Sequence, residues 1–178
     1  MLVKDSPKGS SDGASPSFSE IFRDHAPSLF RALVGLGVPA SDADDQCQEV
    51  MLVVHKRLPE FDGRSLKSWL YAICLRVASD YRRSARVRRE VPTALVPDET
   101  LPAPQADEAD ARRLELRLLR VLDELDEDKR AAFILFEVEE LTVREIAESM
   151  GCPLQTAYSR LQAARSHVRS AFETGKVA

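Results

Sequence analysis

Residues 141–165, LTVREIAESMGCPLQTAYSRLQAAR, read as a helix, a tight break and a second helix. Thr142 followed three residues later by Glu145 is the pattern of a reciprocal N-terminal cap, in which hydroxyl and carboxylate each satisfy a backbone N–H left over by the first turn. Ile146, Ala147 and Met150 form the inward face of the first helix; Gly151 can take the left-handed conformation that ends it, and Pro153 suits the first turn of the next. Helices joined by so small a turn cross steeply and leave the second free to lie in a DNA major groove. On that second helix Leu154, Ala157, Leu161 and Ala164 can pack inward, while Gln155, Tyr158, Ser159 and Gln162 lie on or near the outward surface. Arg160, Arg165 and Arg169 are then available to phosphates. An ordinary helical hairpin with solvated polar residues stays open as the alternative.

The chain that carries this stretch is acidic, with a net charge of −4 over 178 residues. That length allows one ordinary domain or two small ones near the lower size limit for a self-sufficient core. Hydrophobic residues at 44%, charged residues at 30% and aromatic residues at only 6% describe a soluble, largely helical protein. No apolar run is long enough to span a bilayer, and the opening MLVKDSPKGSSDGASPS has no continuous apolar core, so a cytoplasmic location is expected. Cys47, Cys74 and Cys152 are odd in number and widely spaced; they read as reduced structural residues rather than a zinc site or a disulfide framework.

Working outward from the C-terminal stretch, the fold class is all-α: two small helical domains joined by a flexible, acidic, Pro-rich linker, the second containing the helix-turn-helix. Residues 1–16 are too polar and too rich in Ser, Gly and Pro to bury a core and are expected to form a disordered tail. A first domain is expected over 17–90. Ser17 and Glu20 make a capping box for a helix carrying Phe18, Ile21, Phe22, Leu29, Phe30 and Leu33, which Pro27 should kink or divide. After GLGVPAS, Ser41 or Asp42 should cap a helix whose stripe is Ala43, Cys47, Val50, Met51, Val54 and Leu58. Ser65 should cap a third, with Leu66, Trp69, Leu70, Ile73, Val77 and Tyr81 inward and a basic run through Arg82, Arg83, Arg86, Arg88 and Arg89 at its end. Residues 91–109, with prolines at 92, 97, 102 and 104, read as the linker. A second domain over 110–174 opens with the stripe Leu114, Leu118, Val121, Leu122 and Leu125, followed by a helix near 128–139.

Two further motifs carry chemistry. In SDADDQCQEV, at the start of the second helix, Asp42, Asp44 and Asp45 suit the positive end of a helix dipole. The alternatives are a metal site, for which no calcium-loop spacing or nearby His is present, and a surface for a partner protein, which Leu52 and Val53 lying off the apolar stripe favour slightly. In RSLKSWLYAICLRVASDYRRSARVRR basic and aromatic residues interleave, the combination that grips single-stranded nucleic acid through phosphate charge and base stacking. Core aromatics beside a solvated helix end are the alternative. Acid thus sits in the linker and the first cluster, while base sits where DNA would touch.

With these motifs in view, the chain resembles the extracytoplasmic-function group of the sigma-70 family over residues 17 to about 172. DADDQCQEVMLVVHKRL resembles that family's Asp, Gln-Glu helix, FDGRSLKSWLYAICLRVASDYRR its Trp-Leu, Ile, Asp and Arg helix, and EIAESMGCPLQTAYSRLQAAR its helix-turn-helix. The resemblance implies a first domain that binds core RNA polymerase and melts the minus-ten element, and a second that reads the minus-thirty-five element as duplex. It gives Asp45, Gln48, Glu49, Leu52 and Val53 to the beta-prime clamp helices. It gives Phe61, Gly63, Arg64, Ser65, Lys67, Trp69, Arg76, Arg82 and Arg83 to the melted non-template strand, with one base unstacked into a pocket. It gives Gln155, Thr156, Tyr158, Ser159, Arg160, Gln162 and Arg165 to the upstream duplex. Arg76 and Tyr158 depart from the family, which commonly has Asn and a basic residue there. Implied partners are the polymerase core, through the clamp helices and the beta flap, promoter DNA and an anti-sigma protein. The expected chain is no enzyme and holds no metal, cofactor or small-molecule substrate: no nucleophile–base pair or phosphate loop is present, and His25, His55 and His167 stand apart. A stand-alone helix-turn-helix regulator would use the second domain alike but leaves the acidic cluster and the basic-aromatic helix unexplained.

Overall fold

A computed structural model describes residues 16–90 and 106–174, with backbone only at 86–90, 106–110 and 174. The expected tail, Pro16 aside, and the body of the expected linker lie outside these residues. Among the described residues the chain is helical throughout: α1 (Phe18–Gly35), α2 (Ala40–Arg57), a 3-10 turn (Leu58–Glu60), α3 (Leu66–Glu90), α4 (Ala106–Asp123), α5 (Glu127–Glu137), α6 (Val143–Ser149) and α7 (Leu154–Thr174).

The capping boxes form as their spacing predicts. The Ser17 hydroxyl accepts the Glu20 N–H at 3.3 Å while the Glu20 carboxylate accepts the Ser17 N–H at 2.8 Å. Thr142 and Glu145 do the same for α6, at 3.3 and 2.9 Å. Asp126 caps α5 by accepting the Lys129 N–H at 2.9 Å.

Four expectations are corrected. Pro27 does not divide α1, which stays one helix across it; proline removes a single backbone bond, and packing against α2 and α3 outweighs that loss. α2 begins at Ala40 after Pro39 with no side-chain cap, and Asp42 instead accepts the Tyr81 hydroxyl across to α3. α4 begins at Ala106, inside the segment expected as linker; Ala106, Asp107, Glu108 and Ala109 suit a helical first turn but carry no apolar stripe to betray it. Leu154, expected to pack inward, is 47% exposed, and Phe22 and Leu114 of the apolar patterns of α1 and α4 are exposed as well. Leu154 is the first residue of α7 and lies ahead of the stripe that meets α5 and α6.

α1, α2 and α3 pack as one bundle around Ile21, Leu29, Leu33, Val50, Val54, Leu70 and Cys74. α5 and α7 pack together with α6 across their end, around Leu122, Leu135, Ile146, Ala157, Leu161 and Ala164. The two groups of buried residues are continuous, because α3 packs on α6 and α5 on the end of α1. The second contact is closely fitted. A Cβ placed on Gly35 would lie 2.7 Å from Ile134 Cδ1, and Gly37, at φ +99°, turns the chain where a Cβ would lie 3.0 Å from the Arg130 guanidinium. Arg130, only 2% exposed, donates Nε–H to the Gly35 carbonyl at 2.5 Å and pairs with Asp123. Burial draws its pKa down while Asp123 holds it up.

Candidate protein and nucleic-acid interfaces

α2 has two faces because its apolar residues recur every three or four positions. With Ala43, Cys47, Val50, Met51 and Val54 turned inward, Asp45, Gln48, Glu49 and Leu52 share the outer side, with Val53 half-buried at its margin. Leu52 is 64% exposed. Between α2 and α3 runs a groove of about 770 Å³ whose lining includes Asp45, Glu49, Val53, Trp69 and Arg76. Residues assigned from the sequence to two different surfaces therefore border one depression.

The loop before α3 is fastened by short-range bonds. Asp62 accepts the Arg64 backbone N–H at 3.1 Å and its Nε–H at 2.6 Å, and these bonds hold the Asp62 carboxyl below its ordinary value. Gly63 takes φ +77° at the turn, a conformation costly for a residue with a Cβ. Ser65 accepts the Ser68 N–H at 3.2 Å, as a cap of α3 does. The Phe61 ring lies against Trp69 at 5.1 Å between centroids, within the range of favourable aromatic pairs.

Of the nine residues expected to take a single strand, six divide between two sides of α3. Phe61, Trp69 and Arg76 stand at the groove side. Ser65, Lys67 and Arg82 face the C-terminal helices: the Ser65 hydroxyl is 3.5 Å from Glu145, Arg82 is 3.8 Å from Glu127, and Lys67 lies near enough to pull down the carboxyl values of Glu139 and Glu145. Gly63 and Arg64 are at the exposed turn, and Arg83 pairs with Asp80 at 3.3 Å. Tyr71, one of the interleaved aromatics, is buried and donates to Glu139 at 2.6 Å.

On α7, Gln155, Tyr158, Ser159 and Gln162 form one exposed row while Ala157, Leu161 and Ala164 are buried; Thr156 is half-buried. Gly151 ends α6 at φ +60°. Arg160 and Arg165 turn back to α5, Arg160 on Asp128 and Arg165 on Glu137 at 2.6 Å, with the Arg165 guanidinium 4.5 Å over the Phe136 ring.

Two sequence patterns match the chain, Sigma-70 region 2 over residues 21–88 and Sigma-70 region 4 over 115–168. The ECF RNA polymerase sigma factor RpoE of Cereibacter sphaeroides is 30% identical over 155 residues, covering 86% of this chain and 84% of that one. This chain belongs to the extracytoplasmic-function group of sigma-70 factors. It is 32% identical over 160 residues to the ECF RNA polymerase sigma factor SigE of Mycolicibacterium smegmatis, and spans 88% of its own length but 62% of that relative's. The sigma factor's fold is also that of the RpoE crystallised with the anti-sigma factor NepR from Bartonella quintana, with a TM-score of 0.67 at 22% identity over 88% of this chain and 96% of that one. No helix among the described residues is long and apolar enough to cross a membrane.

Sequence reasoning missed Tyr71, Arg130 and Glu139 as partners between the two helical groups. Arg130 did leave a signal, a cation directly before the apolar run AAFILF where a core position falls. Glu139 left none, since it stands among other acidic residues at the end of the helix expected near 128–139.

Proposed function

We propose that this chain directs promoter-specific initiation by binding core RNA polymerase and reading two promoter elements in different physical states. The outer side of α2, through Asp45, Gln48, Glu49, Leu52 and Val53, docks on the beta-prime clamp helices. Phe61, Gly63, Arg64, Ser65, Lys67 and Trp69, with Arg76, Arg82 and Arg83 for the backbone, take the melted non-template strand of the minus-ten element. Unstacking a base costs a few kcal/mol, which stacking and backbone charge offset. The exposed row of α7 reads the minus-thirty-five duplex through Gln155, Thr156, Tyr158, Ser159 and Gln162. Arg160 and Arg165 support that row by tying α7 to α5. Residues 17–90 and 110–174 act as the two functional domains, the second also meeting the beta flap, and the regulator is an anti-sigma protein, which this chain does not identify.

The observation that carries this reading is the outer side of α2, where an exposed leucine lies among exposed acidic and amide groups, far along the chain from the DNA-reading helix. A stand-alone regulator has no use for it. The test is transcription with purified bacterial core polymerase on fragmented genomic DNA, with start sites mapped. Discrete starts that require the protein and share two upstream elements are expected. Tight binding to duplex promoter DNA without polymerase, and no new starts with it, would overturn the reading.

A further inference from the structure

Over the first turns of α7 the exposed row, Gln155, Tyr158, Ser159 and Gln162, carries no cation. The two glutamine amides make no hydrogen bond among the described residues. The Ser159 hydroxyl donates to the Thr156 carbonyl at 2.9 Å, which leaves it only acceptor capacity for a base edge. Leu154, 47% exposed, stands one turn before Tyr158, 46% exposed, and the pair gives the row an apolar margin. The arginines nearest the row are drawn off it: Arg160 pairs with Asp128, and Arg165 pairs with Glu137 at 2.6 Å with its guanidinium 4.5 Å over the Phe136 ring. Arg144 and Arg169 are exposed, but on α6 and far down α7. In a helix-turn-helix the first helix crosses the DNA backbone and only the start of the second reaches base edges, so both positions suit phosphates.

Bases in the major groove sort by these chemistries. Guanine offers two acceptors, O6 and N7, and is read best by a free arginine or lysine. Adenine offers an acceptor and a donor, N7 and the N6 amino group, which one glutamine amide matches with both its groups. Thymine, adenine's partner in the same pair, adds a methyl group that favours an apolar side chain. We infer that α7 reads A·T pairs: Gln155 and Gln162 each take an adenine, Leu154 and Tyr158 cover thymine methyl groups, and Ser159 accepts from a base amino group between them. This rests on the upstream-duplex reading proposed above and names the base pairs that reading requires. Gln155 and Gln162 are seven residues apart, which is about 10 Å along the helix, so the two pairs stand about three base pairs apart in duplex DNA.

The test uses holoenzyme assembled from purified core polymerase and the full chain, on a promoter taken from the mapped starts with its upstream element randomised. Sequencing of the transcribed templates reads the preference. Wild type should favour A·T pairs at two positions about three base pairs apart, and Gln155→Arg and Gln162→Arg should each turn one of those positions toward guanine by about tenfold. Both glutamines, Leu154 and Tyr158 are exposed, so the fold tolerates their substitution. Uracil in place of thymine at those positions removes the methyl group and nothing else. It should lower template use by wild type several-fold, while a chain with Leu154→Ser and Tyr158→Ser should use both templates alike. Guanine favoured by wild type at the positions that the glutamine variants alter would overturn the adenine assignment and leave α7 as the upstream reader. Equal use of thymine and uracil templates by wild type would overturn the methyl contacts. A preference that none of the four substitutions alters takes the reading off this row and brings down the upstream part of the proposed function with it. No transcription that depends on the chain brings down that function as a whole.

Discussion

The Tyr71 hydroxyl donates to the Glu139 carboxylate at 2.6 Å, joining α3 to the turn between α5 and α6 inside the core. Glu139 is 7% exposed, and its other oxygen has no partner among the described residues. Burial raises the Glu139 carboxyl above its ordinary value against the pull of Tyr71, Arg31 and Lys67, and burial beside that carboxylate raises the Tyr71 hydroxyl as well. Tyr71→Phe should therefore cost about 1–3 kcal/mol in denaturant unfolding at mildly alkaline pH, and less at mildly acidic pH, where a protonated Glu139 has less need of the donor.

Glu139 also predicts a pH dependence. A carboxyl raised on folding contributes stability that is full below its ordinary value, 4.5, and is lost as the pH rises through its folded value. The difference in unfolding free energy between wild type and Glu139→Gln should turn steadily toward the variant over that window. A difference that does not change with pH would mean that no such raised carboxyl exists.

Charge reversal at Glu49 tests the outer side of α2. The residue is exposed, so stability should stay within about 0.5 kcal/mol of wild type. Affinity for core polymerase, measured by competition against a labelled wild-type chain, should fall at least about tenfold, because a like charge across an interface costs several kcal/mol. Unchanged affinity would move the docking surface elsewhere.

Replacing Arg64 and Lys67 together with Ala should impair promoter melting more than initial duplex contact. Both side chains are exposed at or just after the fastened turn before α3, where the function proposed above puts the displaced strand. Permanganate footprints equal to those of wild type would count against strand capture there.

The arginines of α7 should separate by role. Arg165 is held by Glu137 and the Phe136 ring, so Arg165→Ala should cost about 0.5–1 kcal/mol of stability and leave the salt dependence of holoenzyme binding unchanged. Arg169 is exposed, and Arg169→Ala should reduce the salt slope by about one phosphate contact with no loss of stability. The opposite assignment of effects would reverse the two roles.

Gly151 tests the turn itself. Its φ of +60° leaves open space where a Cβ would stand, so only backbone strain opposes substitution. Gly151→Ala should lower stability by about 1–2 kcal/mol and Gly151→Asn by less, read from thermal unfolding.

What the sequence by itself determined was local. Capping pairs such as Ser17–Glu20 and Thr142–Glu145, the stripe of α2 and the glycine turn before α7 all act within one or two helical turns, and each is found where its spacing predicts. The outer side of α2 and the exposed row of α7 follow from the same periodicity, because fixing the buried stripe fixes what faces outward. Helix starts without a stripe, as at Ala106, were invisible for the same reason.

Only the tertiary structure decided how α3 is shared. Its period assigns a residue to a direction but not to a neighbour, so nothing local says that Trp69 and Arg76 border the groove with α2 while Tyr71, Ser79 and Arg82 meet carboxylates far along the chain. Those pairings depend on Gly35 admitting Ile134 and on Arg130 reaching the Gly35 carbonyl 95 residues away in sequence. Contacts at that separation are set by the shapes of whole packed surfaces, which no short window of sequence contains.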